Sequence, residues 1–72
     1  MTLPDMIPVD STNISQIGYD TTSEELYIEY TSGQIYVYSG VSQGTYEELL
    51  YADSKGSYMN REIKPNYDWR NF

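Results

Sequence analysis

The run Ser54-Lys55-Gly56-Ser57-Tyr58-Met59-Asn60-Arg61 gathers the residues of this chain best suited to hold an anion. A helix opening at Ser54 would present free backbone N–H groups and a partial positive charge. Gly56 would let a ligand approach the backbone, and Lys55 and Arg61 would add full charges, with Lys64 just beyond. Ser54, Lys55, Gly56, Tyr58, Arg61 and Lys64 are therefore the candidate ligand-binding residues, for a phosphate group. A purely structural reading stands beside this one: Ser54 caps the helix, Gly56 packs against a sheet, and the basic side chains pair with nearby acids. The run lacks Walker spacing, so the motif alone does not choose between them.

Little else in the chain has the makings of chemistry. There is no His and no Cys, which removes the usual general base, the thiolate nucleophile and the thiolate zinc site. Carboxylates come as sequence neighbours, Glu24-Glu25 and Glu47-Glu48, and adjacent residues on a helix or strand do not face one another. Ser54 and Lys55 fail as a Ser–Lys pair for the same reason. No stretch has EF-hand spacing. The expectation is a protein that is not an enzyme and needs no metal or cofactor.

Formal charge is −7, unevenly spread. Residues 1–54 hold nine acids and no base, whereas Lys55, Arg61, Lys64 and Arg70 outnumber Glu62 and Asp68 in the last quarter. Any anion site is thereby confined to that end. An acidic chain is a poor general binder of duplex nucleic acid, whose affinity rests on neutralising phosphates. The acidic part serves either as a solvated, solubilising surface or as a face for a basic partner.

The elements that must position these groups belong to one domain of 72 residues. A chain of this size buries only about 60% of its unfolded surface. Nine tyrosines, one Trp and one Phe supply large rings to make up a thin core, and homo-oligomerisation is another remedy. No run is long or apolar enough to span a membrane, and Met1-Thr2-Leu3-Pro4-Asp5-Met6 lacks the basic and apolar parts of a signal peptide, so a cytoplasmic location is expected.

The centre of the chain, Glu25 to Tyr38, reads as a β-hairpin around Ser32-Gly33, with β-branched and aromatic residues alternating with polar ones. A two-residue turn there would force Ser into positive φ. The better fit is a type I turn through Thr31-Ser32 with Gly33 left-handed in a bulge. That register sets Tyr30 opposite Gln34, Ile28 opposite Tyr36 and Leu26 opposite Tyr38, with Tyr27, Glu29, Ile35 and Val37 on the other face. Slipping it by one residue would turn Tyr36 and Tyr38 outward, where they could stack on bases.

Ile14 to Asp20 reads as a preceding strand, with Ile17 and Tyr19 on one face, and Met6 to Ser11 as an irregular lead-in. After Val41 the period becomes helical: Tyr46, Leu49 and Leu50 form a stripe, with either Ser42 or a Thr45–Glu48 capping box at its start. A second helical stretch begins at Ser54, buries Met59 and Ile63 and stops at Pro65, with Tyr67 packing back beneath. Asp68 to Phe72 is an aromatic tail that either docks on the body or serves a partner. The expected fold is α+β: a three-stranded antiparallel β-meander covered on one face by two short helices.

Several of these features together resemble the KTSC domain family. They are Ile14 to Tyr19-Asp20, Gly33-Gln34-Ile35-Tyr36-Val37-Tyr38, Val41, the run from Tyr46 through Ala52-Asp53-Ser54-Lys55-Gly56-Ser57-Tyr58 to Asn60, then Ile63 and Tyr67. The resemblance covers about residues 7–67. Ser42 stands where the family usually has Pro, Met59 replaces a usual Phe, and residues 68–72 lie outside it. Family members are small stand-alone bacterial and phage proteins, or the C-terminal part of some lysyl-tRNA synthetases. The resemblance thus implies a non-catalytic module, with RNA binding suggested by the second context. Many members carry a charged residue between the two tyrosines, which implies that Val37 points out and Tyr36 and Tyr38 point in. Three roles remain open: a weak binder of RNA or single strands, an acidic module that meets a basic protein surface, or an oligomer that holds a nucleotide or anion.

Overall fold

The computed structural model describes residues 3–72. Its frame is one antiparallel sheet of five strands in chain order: β1 (Met6–Pro8), β2 (Ile14–Asp20), β3 (Glu25–Tyr30), β4 (Ile35–Ser39) and β5 (Trp69–Asn71). The expected β2–β3–β4 meander is present, but the sheet has five strands rather than three. The lead-in, expected to be irregular, pairs as β1, and the aromatic tail docks as β5. Both additions are three residues long, too short to display a two-residue period. Pro8 further disguises β1, since proline is tolerated only at an edge.

The central hairpin adopts the bulged register. Gly33 has φ +97°, its N–H donates to the Tyr30 carbonyl (2.8 Å), and the Tyr30 N–H donates to the Gln34 carbonyl (2.9 Å). Leu26 accordingly pairs with Tyr38 and Ile28 with Tyr36. A second irregularity lies in β2, where pairing skips from Ile14–Tyr30 to Gln16–Glu29. This extra residue lets Ile14 and Ile17, three apart in sequence, bury on the same face.

That face is covered by α1 (Gln43–Tyr51) and by α2 (Lys55–Tyr58), which continues directly into a π-helical turn, Met59–Ile63. Ser42 is the cap of α1, its hydroxyl accepting from the Thr45 N–H (3.2 Å). The Thr45–Glu48 capping box does not form, because Thr45 already lies inside the helix. In the π turn the Lys64 N–H reaches back to the Met59 carbonyl (2.8 Å). The wider turn brings residues four apart closer to eclipse, and Met59 and Ile63 are both buried against Ile14, Ile17, Ile28 and Leu49. Tyr19 fixes α1 to the sheet: its ring stacks on Tyr46 (4.7 Å, 11°) and its hydroxyl donates to the Val41 carbonyl (2.6 Å).

Among the described residues no helix covers the other face, yet Tyr27 and Val37 are buried there as well. The chain ends cover them. Phe72 sets its ring edge-on to Tyr27 (5.8 Å), and Arg70 pairs with Val37 in register while its guanidinium meets Glu25 (2.9 Å). On the β1 side, a side chain at Gly18 would collide with Met6 and come within 3.1 Å of Pro4 and of the Asp5 carbonyl. Gly18 is thus the opening into which the first strand folds.

Candidate functional site

The six residues expected from sequence fall into three neighbouring environments. Ser54 caps α2, its hydroxyl accepting from the Ser57 N–H (3.2 Å) and donating to the Ser57 hydroxyl (2.9 Å). Lys55 reaches back to donate to the Ala52 carbonyl (3.3 Å), placing its charge at the C-terminal end of α1, where a cation is favoured. Gly56 accommodates Asn13: an added Cβ would lie 2.7 Å from the carboxamide oxygen. Together Ser54, Lys55 and Gly56 line a polar hollow of about 450 Å³, shared with Asp10, Asn13 and Asp53. Two of those neighbours are acids, and the Ser57 N–H in the first turn of α2 already meets Ser54.

Tyr58 and Arg61 face a different space, the cleft between α1 and α2, about 780 Å³ in volume. The Tyr58 hydroxyl donates to Glu48 (2.8 Å), and the Arg61 guanidinium lies 5.8 Å from the centre of the Tyr58 ring while pairing with Glu62 (3.1 Å). Burial first, then the Glu48 carboxylate, pushes the Tyr58 phenol up to about 12. The far wall is one face of α1: Gly44, Glu47, Glu48 and Tyr51 follow the i, i+3, i+4, i+7 spacing that aligns residues along a helix. Tyr51 is 86% exposed.

Lys64 belongs to a third region that sequence reasoning did not assemble. Its ammonium lies 5.5 Å from the centre of the Tyr30 ring. Tyr30 meets Tyr36 edge-on (5.4 Å, 80°), and Tyr36 stacks face to face on Trp69 (4.8 Å, 14°). Trp69 is 54% exposed. A depression of about 320 Å³ beside these rings is lined by Asn13, Ser32, Gln34 and Lys64 in addition to Tyr30 and Tyr36. Beneath it the Tyr30 and Tyr38 hydroxyls share a hydrogen bond (2.9 Å), and burial is the main reason both phenols are shifted upward. Tyr38 is buried outright, whereas Tyr36 stays half-exposed on the helix-covered side. Trp69 pairs with Tyr38 across β4 and β5, a register that no local pattern announces.

Lys55, Arg61 and Lys64 therefore line three different spaces. Two ion pairs occur among the described residues, Arg61–Glu62 and Arg70–Glu25, and Lys55 and Lys64 belong to neither. No group of three or more metal-ligating side chains is found among these residues, and no helix of theirs is long and apolar enough to cross a membrane.

A sequence model of the KTSC domain matches residues 10–67. The chain belongs to the KTSC domain family. The fold agrees: a crystal structure of a KTSC domain protein from Yersinia pestis superposes with a TM-score of 0.91 at 31% identity, covering 94% of this chain and 96% of that one. A protein of Tsukamurella paurometabola is 36% identical over 62 residues, 86% of this chain and 92% of its own length. A lysine–tRNA ligase of Nostoc punctiforme is 37% identical over 54 residues, which are 75% of this chain and 10% of the ligase. The KTSC domain thus occurs both as nearly a whole protein and as a small part of a much larger one. Trp69 lies past the end of the family match, so the outermost ring of the aromatic corner belongs to a segment outside the matched domain.

Proposed function

We propose that this KTSC domain is a non-catalytic module that contacts single-stranded RNA at the Lys64–Tyr30–Tyr36–Trp69 corner. The observation that carries the reading is the open Trp69–Tyr36 stack with a lysine nearby. A base can lie on the exposed indole, since every base has a face to stack and the contact is sequence-tolerant. Lys64 supplies the charge for the adjoining phosphate, and the Asn13 and Gln34 side-chain amides offer donors and acceptors to base edges. Lys55, outside any ion pair, adds longer-range attraction, and Ser54, Gly56 and Tyr58 hold the helix that carries it. The similarity to a segment of lysine–tRNA ligases supports the same class of partner, because those enzymes act on an RNA.

With a net charge of −7, binding is weak, with a Kd of about 10–100 μM at low salt, within the range of non-specific nucleic-acid contacts. The only tryptophan of the chain is Trp69, so its fluorescence reports directly on stacking. Titration with oligo(U) and oligo(A) RNA at low and moderate salt should quench it in a saturable, salt-sensitive manner. A flat titration, or quenching indifferent to salt, rejects the reading.

A further inference from the structure

We propose that the cleft between α1 and α2 is a docking groove for a basic, amphipathic protein segment. It is distinct from the RNA corner: the residues that line the two spaces do not overlap. The floor is apolar, formed by the Tyr58 ring and Ala52, and Gly44 leaves one end without a side chain. Around the rim stand Glu47, Glu48 and Asp53, with Arg61 as the opposing cation. That cation is already engaged, over the Tyr58 ring and against Glu62. Its placement is also informative, because the chain's own guanidinium occupies the aromatic face that an incoming arginine or lysine would seek.

Tyr51 completes the groove. It closes α1 four residues after Glu47, on the same helix face, and is the most exposed large hydrophobic side chain among the described residues. A carboxylate beside an open ring at this spacing takes a lysine or arginine side chain along its length, the aliphatic stem on the ring and the charged head on the carboxylate. Apolar residues of the same partner segment would cover Ala52 and the Tyr58 ring. The excess of carboxylates excludes an anionic occupant and favours a basic one through charge complementarity.

The probe is a short fluorescent peptide of lysine and leucine patterned as an amphipathic helix, with its glutamate-for-lysine counterpart as control. Binding is followed by anisotropy, and its location by backbone amide chemical shifts of the full chain. The lysine peptide should bind, shift Gly44, Glu47, Tyr51 and Tyr58, and leave Trp69 undisturbed, while the glutamate peptide should not bind. The triple variant Glu47→Gln, Glu48→Gln, Asp53→Asn keeps the acceptor for Tyr58 and the shape of the groove. It should bind roughly tenfold more weakly, on the order expected for removing three partly exposed charge contacts. Arg61→Ala should bind the lysine peptide at least as tightly as the parent, because it removes a competing cation. Equal binding of the two peptides, shifts centred on Glu24, Glu25 and Glu29 instead of the cleft, or unchanged affinity in the triple variant would each overturn the proposal.

Discussion

The β4–β5 corner and the α1–α2 cleft use the same material, tyrosine rings, for opposite ends. At the corner Tyr30 and Tyr36 sit beside Lys64 and continue into an open tryptophan. In the cleft Tyr58 is tied to the Glu48 carboxylate, and Tyr51 stands in line with that group and with Glu47. A ring offers area and a polar tip to almost any partner, so the neighbouring charge decides which partner is favoured. On the proposed reading, an acidic chain in this way keeps one surface that invites RNA and another that repels it. Of the four basic residues, Arg61 and Arg70 are engaged in ion pairs, and Lys55 and Lys64 lie outside them.

The sharpest way to break this contrast is to remove the indole. Trp69→Ala should weaken oligo(U) binding about tenfold, as the loss of one stacked base is worth about 1–3 kcal/mol, while lysine-peptide binding stays at the parental value. With the fluorophore gone, the RNA measurement is made by anisotropy of labelled RNA. If both affinities fall together, the two regions are not independent.

Tyr58→Phe tests the other side. It deletes the hydrogen bond to Glu48 that joins α1 to α2 and should cost about 1 kcal/mol in denaturant unfolding, without affecting RNA. The same phenol predicts an alkaline limb. Its folded pKa of about 12 lies above the ordinary value near 10, so its contribution to stability is full below about pH 10 and is lost as pH rises through about 12. An absorbance titration of the tyrosines should lose one high-pH component in the variant.

Lys64→Gln should act through salt more than through affinity at low ionic strength. Removing one phosphate contact lowers the slope of log K against log salt by about 0.7 for a single strand. An unchanged slope would place the phosphate elsewhere, at Lys55 or Arg61.

The smallest effect is expected at the Glu25–Arg70 pair, which helps hold β5 and with it Trp69. The Arg70 hydrogen bond is the main cause of the depressed Glu25 carboxyl, against the opposing effect of burial. Its stabilisation is therefore present above the ordinary glutamate value near 4.3 and is lost as pH falls through the lower folded value. Glu25→Gln should flatten the acid limb of the melting temperature slightly, and the solvent exposure of the pair keeps the change small.

Much of the middle of the fold is legible in the chain because its signals are local. Gly33 in a Thr-Ser-Gly turn selects the bulged hairpin, and that choice alone sends Tyr38 inward. The apolar spacing of Tyr46, Leu49 and Leu50, then of Met59 and Ile63, places the helices. The edges are not legible in this way. Met6 to Pro8 and Trp69 to Asn71 carry no alternation of their own and become strands only because β2 and β4 offer unpaired backbone. Of the candidate residues, Ser54 is readable as a cap. The engagement of Lys55 with Ala52 and of Gly56 with Asn13 depends on where α1 ends and where the β1–β2 connection passes.

The sequence by itself favoured the bulged hairpin register, marked Ser54 as the start of the second helix, and fixed the lack of His and Cys and the charge polarity, since each follows from residue type and near-neighbour spacing. Only the tertiary structure decided that the tail pairs with β4, that Trp69 stacks on Tyr36, and that the three basic residues expected to act together line separate spaces. Those outcomes rest on contacts between residues far apart in the chain, where packing of the whole sheet, rather than any local preference, sets which side chains meet.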